Sequence, residues 1–137
     1  MGIFQKIRKC FTGRGLPEAY QQRQSDEAIW KSTYEEHFGI ADTTLRVFCF
    51  AFLIPIEDRF KLRPDDSIDE IYRGIYPSKW MPDTLEHMYL IEGMEEKFKF
   101  KFKDEELEGI RRLNDLVNKA IIAQPSAPAD TQKAACR

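Results

Sequence analysis

The sequence predicts an all-α protein, and three observations carry that prediction. The first is P-D-T-L-E-H at 82–87, where Asp83 follows a proline and Glu86 comes three residues later. That spacing is a capping box, in which the two side chains satisfy the unpaired backbone donors of a helix start. The second is the recurrence of apolar residues at intervals of three and four, as in Leu85, Met88, Ile91, Met94 and Phe98. The third is that only one stretch alternates, K-F-K-F-K-F-K at 97–103, and a lone strand has nothing to pair with.

Taken in order, residues 1–40 read as a helical extension. In M-G-I-F-Q-K-I-R-K-C-F, Ile3, Phe4, Ile7 and Phe11 make one apolar face, with Lys6, Arg8 and Lys9 elsewhere. The loop T-G-R-G-L-P ends it. Ser25 is the expected N-cap of a second helix that runs through Trp30 and Tyr34 to Gly39. A compact part follows at 41–123. Asp42 is expected to cap the apolar stretch T-T-L-R-V-F-C-F-A-F-L-I, which Pro55 ends or kinks. R-P-D-D-S-I-D-E-I-Y reads as a loop leading into R-G-I-Y-P-S-K-W-M-P. The helix opened at Asp83 comes next, then a last helix from Asn114 to Ile122 with Leu116, Val117, Ala120 and Ile121 on its apolar face. The Ala- and Pro-rich stretch 124–137 lacks a packing face and reads as a disordered tail. For 97–103 two options stand: a strand paired with the apolar 47–54 run, or an extended loop that dips phenylalanines into a helical core.

Composition narrows the function. Of 137 residues, 42% are apolar and 12% aromatic, enough for one real core. A net charge of −2 gives no electrostatic case for nucleic-acid binding. Cys10, Cys49 and Cys136 stand far apart and in no metal or redox spacing, so they read as reduced thiols of a cytoplasmic protein. No apolar run approaches the ~20 residues of a spanning helix. The basic amphipathic segment 3–11 would give at most weak contact with an anionic membrane surface. His37 and His87 are the only histidines, and neither has an acid and nucleophile at triad spacing. A non-enzyme is expected.

From Asp83 the chain reads D-T-L-E-H-M-Y-L-I-E-G-M-E-E-K-F-K-F-K-F-K-D-E-E-L-E-G-I-R-R-L-N-D-L-V. This resembles the second half of an acyl carrier protein. D-T-L, M-E-E-K-F at 94–98, D-E-E at 104–106 and L-N-D-L-V at 113–117 come in the family's order without a gap. Upstream, R-F-K-L-R-P-D-D-S-I-D-E-I is similar to the end of the family's first helix and the loop after it. The resemblance implies a four-helix bundle with the helical extension and tail added. It also implies an extended 97–103, with Phe98 and Phe102 in the core and the lysines in solvent.

The same resemblance implies a site. The family carries 4′-phosphopantetheine on a serine at the head of its second helix, and Thr84 holds that position here. Asp83 would help bind the metal that the transferring enzyme uses. A helix N-terminus suits an anionic phosphate, because free backbone donors and the helix dipole both favour it. Threonine keeps the oxygen and adds a methyl that restricts χ1; Ser78 is the nearest other hydroxyl. Leu85, Glu86, Met88, Tyr89, Glu92 and Glu95 would form the face presented to acyl-transfer or synthase-type enzymes of lipid or secondary metabolism. The competing expectation is an interaction or regulatory module that keeps the bundle without the prosthetic group and binds a protein partner.

Overall fold

The computed structural model describes residues 15–76 and 84–124. The described residues are helical and contain no strand. Seven α-helices succeed one another: α1 (Glu18–Gln21), α2 (Glu27–Tyr34), α3 (Phe38–Phe52), α4 (Ile68–Ile75), α5 (Thr84–Phe98), α6 (Asp104–Leu107) and α7 (Leu113–Ala123). Single 3₁₀ segments at Glu35–His37 and Ile56–Lys61 join α2 to α3 and α3 to α4. The expected helix at 3–11, the Asp83 cap, Ser78, Cys10, Cys136 and the stretch after Gln124 lie outside the described residues.

The core is organised around α3, which packs on α2, α5 and α7. Eight of its residues are buried, among them Leu45, Val47, Phe48, Cys49 and Phe52. Neighbours cover most of this helix, leaving an exposed stripe at Gly39, Arg46 and Phe50. Phe48 and Phe52, one turn apart, stack at 4.5 Å. The helix stops where Leu53 turns left-handed (φ 61°), and Pro55 two residues on cannot continue it. On the α5 side the helices touch at Gly93, where any Cβ would stand 2.7 Å from Val47 Cγ1. Gly74 of α4 plays the same part against Pro17, whose Cγ would lie 2.5 Å from an added Cβ.

Several boundaries depart from the sequence reading. Asp26, not Ser25, caps α2, its Oδ1 accepting the Ile29 amide at 3.2 Å. The helix ends at Tyr34 because Glu35 takes φ 51°. The next helix then starts at Phe38 instead of Asp42; Asp42 lies inside it and pairs with Arg46 (3.1 Å) and Arg59 (2.7 Å). The stretch read as a loop before 76 contains α4, capped by Ser67, whose Oγ accepts the Glu70 amide. The last helix falls within one residue of its expected bounds.

The alternating 97–103 segment is no strand and only partly a connection: Lys97 and Phe98 end α5, and 99–103 lead from it to α6. Lys99 adopts φ 60°, and its N–H closes α5 by donating to the Glu95 carbonyl at 2.9 Å. Phe98, Phe100 and Phe102 all lean on the core, while Lys97, Lys99, Lys101 and Lys103 are exposed.

The described part of the expected extension, 15–40, shares one core with the helices from α3 to α7. Leu16, Trp30 and Tyr34 belong to the same buried cluster as Phe48, Leu62 and Leu116. Trp30 Nε1–H donates to the Leu62 carbonyl at 2.8 Å, and Tyr34 Oη–H donates to Asn114 Oδ1 at 2.6 Å. Arg23 grips both carboxylate oxygens of Asp66, at 2.7 and 2.9 Å.

Candidate functional site

A groove of about 560 Å³ opens beside the first turns of α5. Its walls are Ile68 of α4, Leu90 and Ile91 of α5, Leu107 of α6 and Ile110 of the α6–α7 connection. Ser67, Asp69, Arg111 and Arg112 form its polar rim. The volume lies within the usual range for small-molecule sites, and an apolar wall with a few polar groups is their usual composition.

Backbone hydrogen bonds fix the two banks of the groove to each other. The Ile68 N–H donates to the Arg111 carbonyl at 2.9 Å, and Ser67 and Arg112 form an isolated antiparallel bridge. Next to this bridge, the Leu113 and Asn114 N–H groups donate to the Asp66 and Pro64 carbonyls at 3.1 and 2.8 Å. Asp66 is itself held by Arg23 and by the Arg63 N–H at 2.6 Å. The groove is thus a gap between pinned segments. On the far side Glu106 accepts the Lys103 N–H and pairs with Lys119 Nζ at 2.6 Å. Those two bonds, the backbone one first, hold its carboxyl below the usual glutamate range.

His87 lines the groove and is half-buried. Its imidazole stands edge-on to Phe52 (5.6 Å) and Tyr72 (5.3 Å), so it is an aromatic wedge between α5 and the core.

The expected partner-binding residues divide into three groups. Leu85, Met88, Tyr89 and Glu92 face outward; the first three are 47%, 49% and 48% exposed. Glu86, expected on that face, is instead buried against the core at 8% exposure, and among the described residues its Oε1 has no hydrogen-bond partner. Glu95 is a structural tie: Oε2 accepts the Phe102 N–H at 2.9 Å, and Lys101 approaches Oε1 at 3.6 Å. The apolar face expected from Leu85, Met88, Ile91, Met94 and Phe98 is rotated as well. The side chains buried on α5 are Glu86, Leu90 and Met94, spaced by four, while Leu85 and Met88 are left outside.

Thr84 is the first residue of α5, so the expected attachment position does sit at a helix head. Asp83 lies outside the described residues. Sequence reasoning missed the opposite wall, Ile68, Leu107 and Ile110. Their signal was Leu107 and Ile110 at a spacing of three, in a stretch too short and charged to read as a packing face.

Cys49 is buried, and burial pushes its thiol up to about 12, which makes it an inert core residue. Among the described residues no cluster of His, Cys, Asp and Glu could hold a metal, and no helix is long and apolar enough to cross a membrane. Comparison of the chain with protein-family models, curated proteins and solved structures returns no match.

Proposed function

We propose that this protein is a divergent acyl carrier, with α3, α5, α6 and α7 as the four helices of a carrier bundle and Thr84 as the attachment residue. The observation that carries this reading is the groove. It is lined by His87, Leu90 and Ile91 of the same helix that Thr84 begins. A group tethered at the helix head therefore has apolar cover within one to two turns of its point of attachment.

The residues fit a phosphopantetheine arm on two counts. The first-turn N–H groups of an α-helix have no partner within the helix and favour an anionic phosphate. The apolar walls suit an acyl chain, whose burial contributes about 0.8 kcal/mol per methylene. When bound, the arm supplies a terminal thiol that holds acyl groups as thioesters. In loading, the Thr84 oxygen bonds to the pantetheine-bearing phosphorus of coenzyme A as the pyrophosphate P–O bond breaks. Adenosine 3′,5′-bisphosphate leaves, and the hydroxyl proton passes to a base of the transferring enzyme. The outward Leu85, Met88, Tyr89 and Glu92 form the surface offered to partner enzymes.

A second reading is supported by that same outward face: a protein-interaction module without a prosthetic group. Intact mass after incubation with a phosphopantetheinyl transferase and coenzyme A separates the two. The carrier gains one phosphopantetheine, Thr84→Ala gains none, and Thr84→Ser is loaded faster because the β-methyl is gone. An unchanged mass under conditions that convert a control carrier completely leaves the interaction module.

A further inference from the structure

The groove has two chemically different ends. At one end His87 of α5 meets Tyr72 of α4, their rings 5.3 Å apart. At the other end Ile68, one turn earlier on α4, donates its N–H to the Arg111 carbonyl, and the Arg111 and Arg112 side chains stand on the rim. Leu90, Ile91, Leu107 and Ile110 line the stretch between. Ile91, Leu107 and Ile110 are only partly buried, so the walls leave apolar surface for a ligand to cover. The helical turn from Ile68 to Tyr72 is about 6 Å long, which sets the scale of that stretch.

The carboxylates around the basic end are already engaged. Asp115 Oδ2 accepts the Arg111 and Arg112 N–H groups, each at 2.9 Å. Asp69, also on the rim, pairs with Arg73 at 3.0 Å. Arg112 donates Nη1–H to the Asp65 carbonyl at 2.5 Å, which occupies part of its fork. Arg111 is exposed, and among the described residues its guanidinium has no hydrogen-bond or carboxylate partner. An open guanidinium fork recognises a carboxylate through two parallel hydrogen bonds. Set at the mouth of an apolar groove, it is complementary to one negative charge carried on a hydrocarbon chain.

We propose that the groove binds a free medium-chain fatty acid. Its carboxylate sits on Arg111 with Arg112 beside it, and its chain runs past Ile91 and Leu107 towards His87. The two ends fix the direction, because the charge has a partner only at the Arg111 end. The inference rests on the groove and its rim alone and holds whether or not Thr84 carries an arm.

The test is an NMR titration of the isotope-labelled full-length chain with sodium octanoate. Binding moves the amide signals of Ile68, Ile91, Leu107, Ile110 and Arg111 saturably, with one ligand per chain. Each methylene removed from the ligand weakens binding by about fourfold. Arg111→Gln weakens octanoate by about ten- to a hundredfold and leaves the affinity for octanol, which has no charge, unchanged. The side chain is exposed, so the variant folds, and its own amide spectrum shows that it does. Thr84→Ala binds octanoate as the wild type does, so a failure of phosphopantetheine transfer at Thr84 leaves this proposal standing. Absence of saturable shifts overturns the proposal, as do shifts centred outside the groove. Equal affinity for octanoate in Arg111→Gln and wild type overturns the role of the charge, and the proposal with it. Shifts in the groove produced by anionic phospholipid vesicles and not by octanoate assign the rim to a membrane surface, with the same consequence.

Discussion

Segment 16–34 and helix α5 both pack on α3, but they are held in different ways. The first is tied by polar contacts that close completely. Trp30 and Tyr34 each bury a ring and donate to a partner, and Arg23 and Asp66 meet through two hydrogen bonds. Along α5 the polar accounting is left open. Among the described residues Glu86 buries a carboxylate oxygen without a partner, and Met88 and Tyr89 are about half exposed. Buried polar groups are nearly always paired in native folds, and large apolar side chains left in a row mark binding surfaces. The tied side is scaffold; the untied side is where binding energy remains to be gained.

If that division is right, the largest loss comes from the tied side. Trp30→Ala removes a fully buried ring and its bond to the Leu62 carbonyl. The expected cost is about 3–5 kcal/mol, read as a lower denaturation midpoint in urea. A loss below ~1 kcal/mol would mean that the segment is an appendage after all. Next comes Asp66→Ala, which takes an acceptor from Arg23 and from the Arg63 N–H. Arg23 is 30% exposed and can turn to water, which limits the loss to about 2–3 kcal/mol. Because Asp66 also steadies the 64–68 bank of the groove, exchange of the Ile68 amide should speed up in this variant.

The third prediction has the opposite sign and belongs to α5. Glu86→Met keeps the side-chain length and removes a buried carboxylate whose Oε1 has no hydrogen-bond partner among the described residues. The dipole of the first turn stabilises that charge by only about 0.3–1 kcal/mol, less than the desolvation of a polar group left without a bond. A net gain of about 1 kcal/mol is expected in the same urea titration. A loss would place a partner on Glu86 and close the polar accounting on both sides of α3.

The two sides also differed in how far they could be read from sequence. An all-helical fold was legible because capping residues and spacing are local signals. The last helix was placed within one residue by the apolar face of Leu116, Val117, Ala120 and Ile121. Helix α2 lost its expected cap to the next residue, since Ser25 and Asp26 are equivalent on propensity and the fold selects between them. The face of α5 was misread for a deeper reason. Its apolar residues lie on both sides, and spacing cannot say which of two stripes meets the core. Gly93 was the overlooked clue, because a glycine inside a helix allows the close approach that Val47 makes here. The groove's far wall was illegible because α6 and its connection contribute only isolated apolar residues, which converge through backbone pairing between 64–68 and 111–114.

The smallest effect at neutral pH is also the one with the most specific pH signature. Tyr34 Oη–H donates to Asn114 Oδ1, so Tyr34→Phe should cost about 1 kcal/mol near pH 8. Burial, with smaller contributions from the charges of Asp65 and Asp115, pushes the phenol up to about 12. In the unfolded chain the same phenol titrates near ~10. Between those values the unfolded state loses the proton that the native state keeps, so stability falls as pH rises. The contribution is complete below about pH 10 and is lost as pH approaches about 12. Cys49, also raised to about 12, steepens the alkaline limb of both proteins equally and cancels in their difference. The gap between wild type and Tyr34→Phe should therefore shrink steadily in urea titrations taken upward from about pH 10. A gap that stays constant across that range would show that the phenol is solvated in the folded protein, and that the α2–α7 contact is less closed than the rest of the tied side.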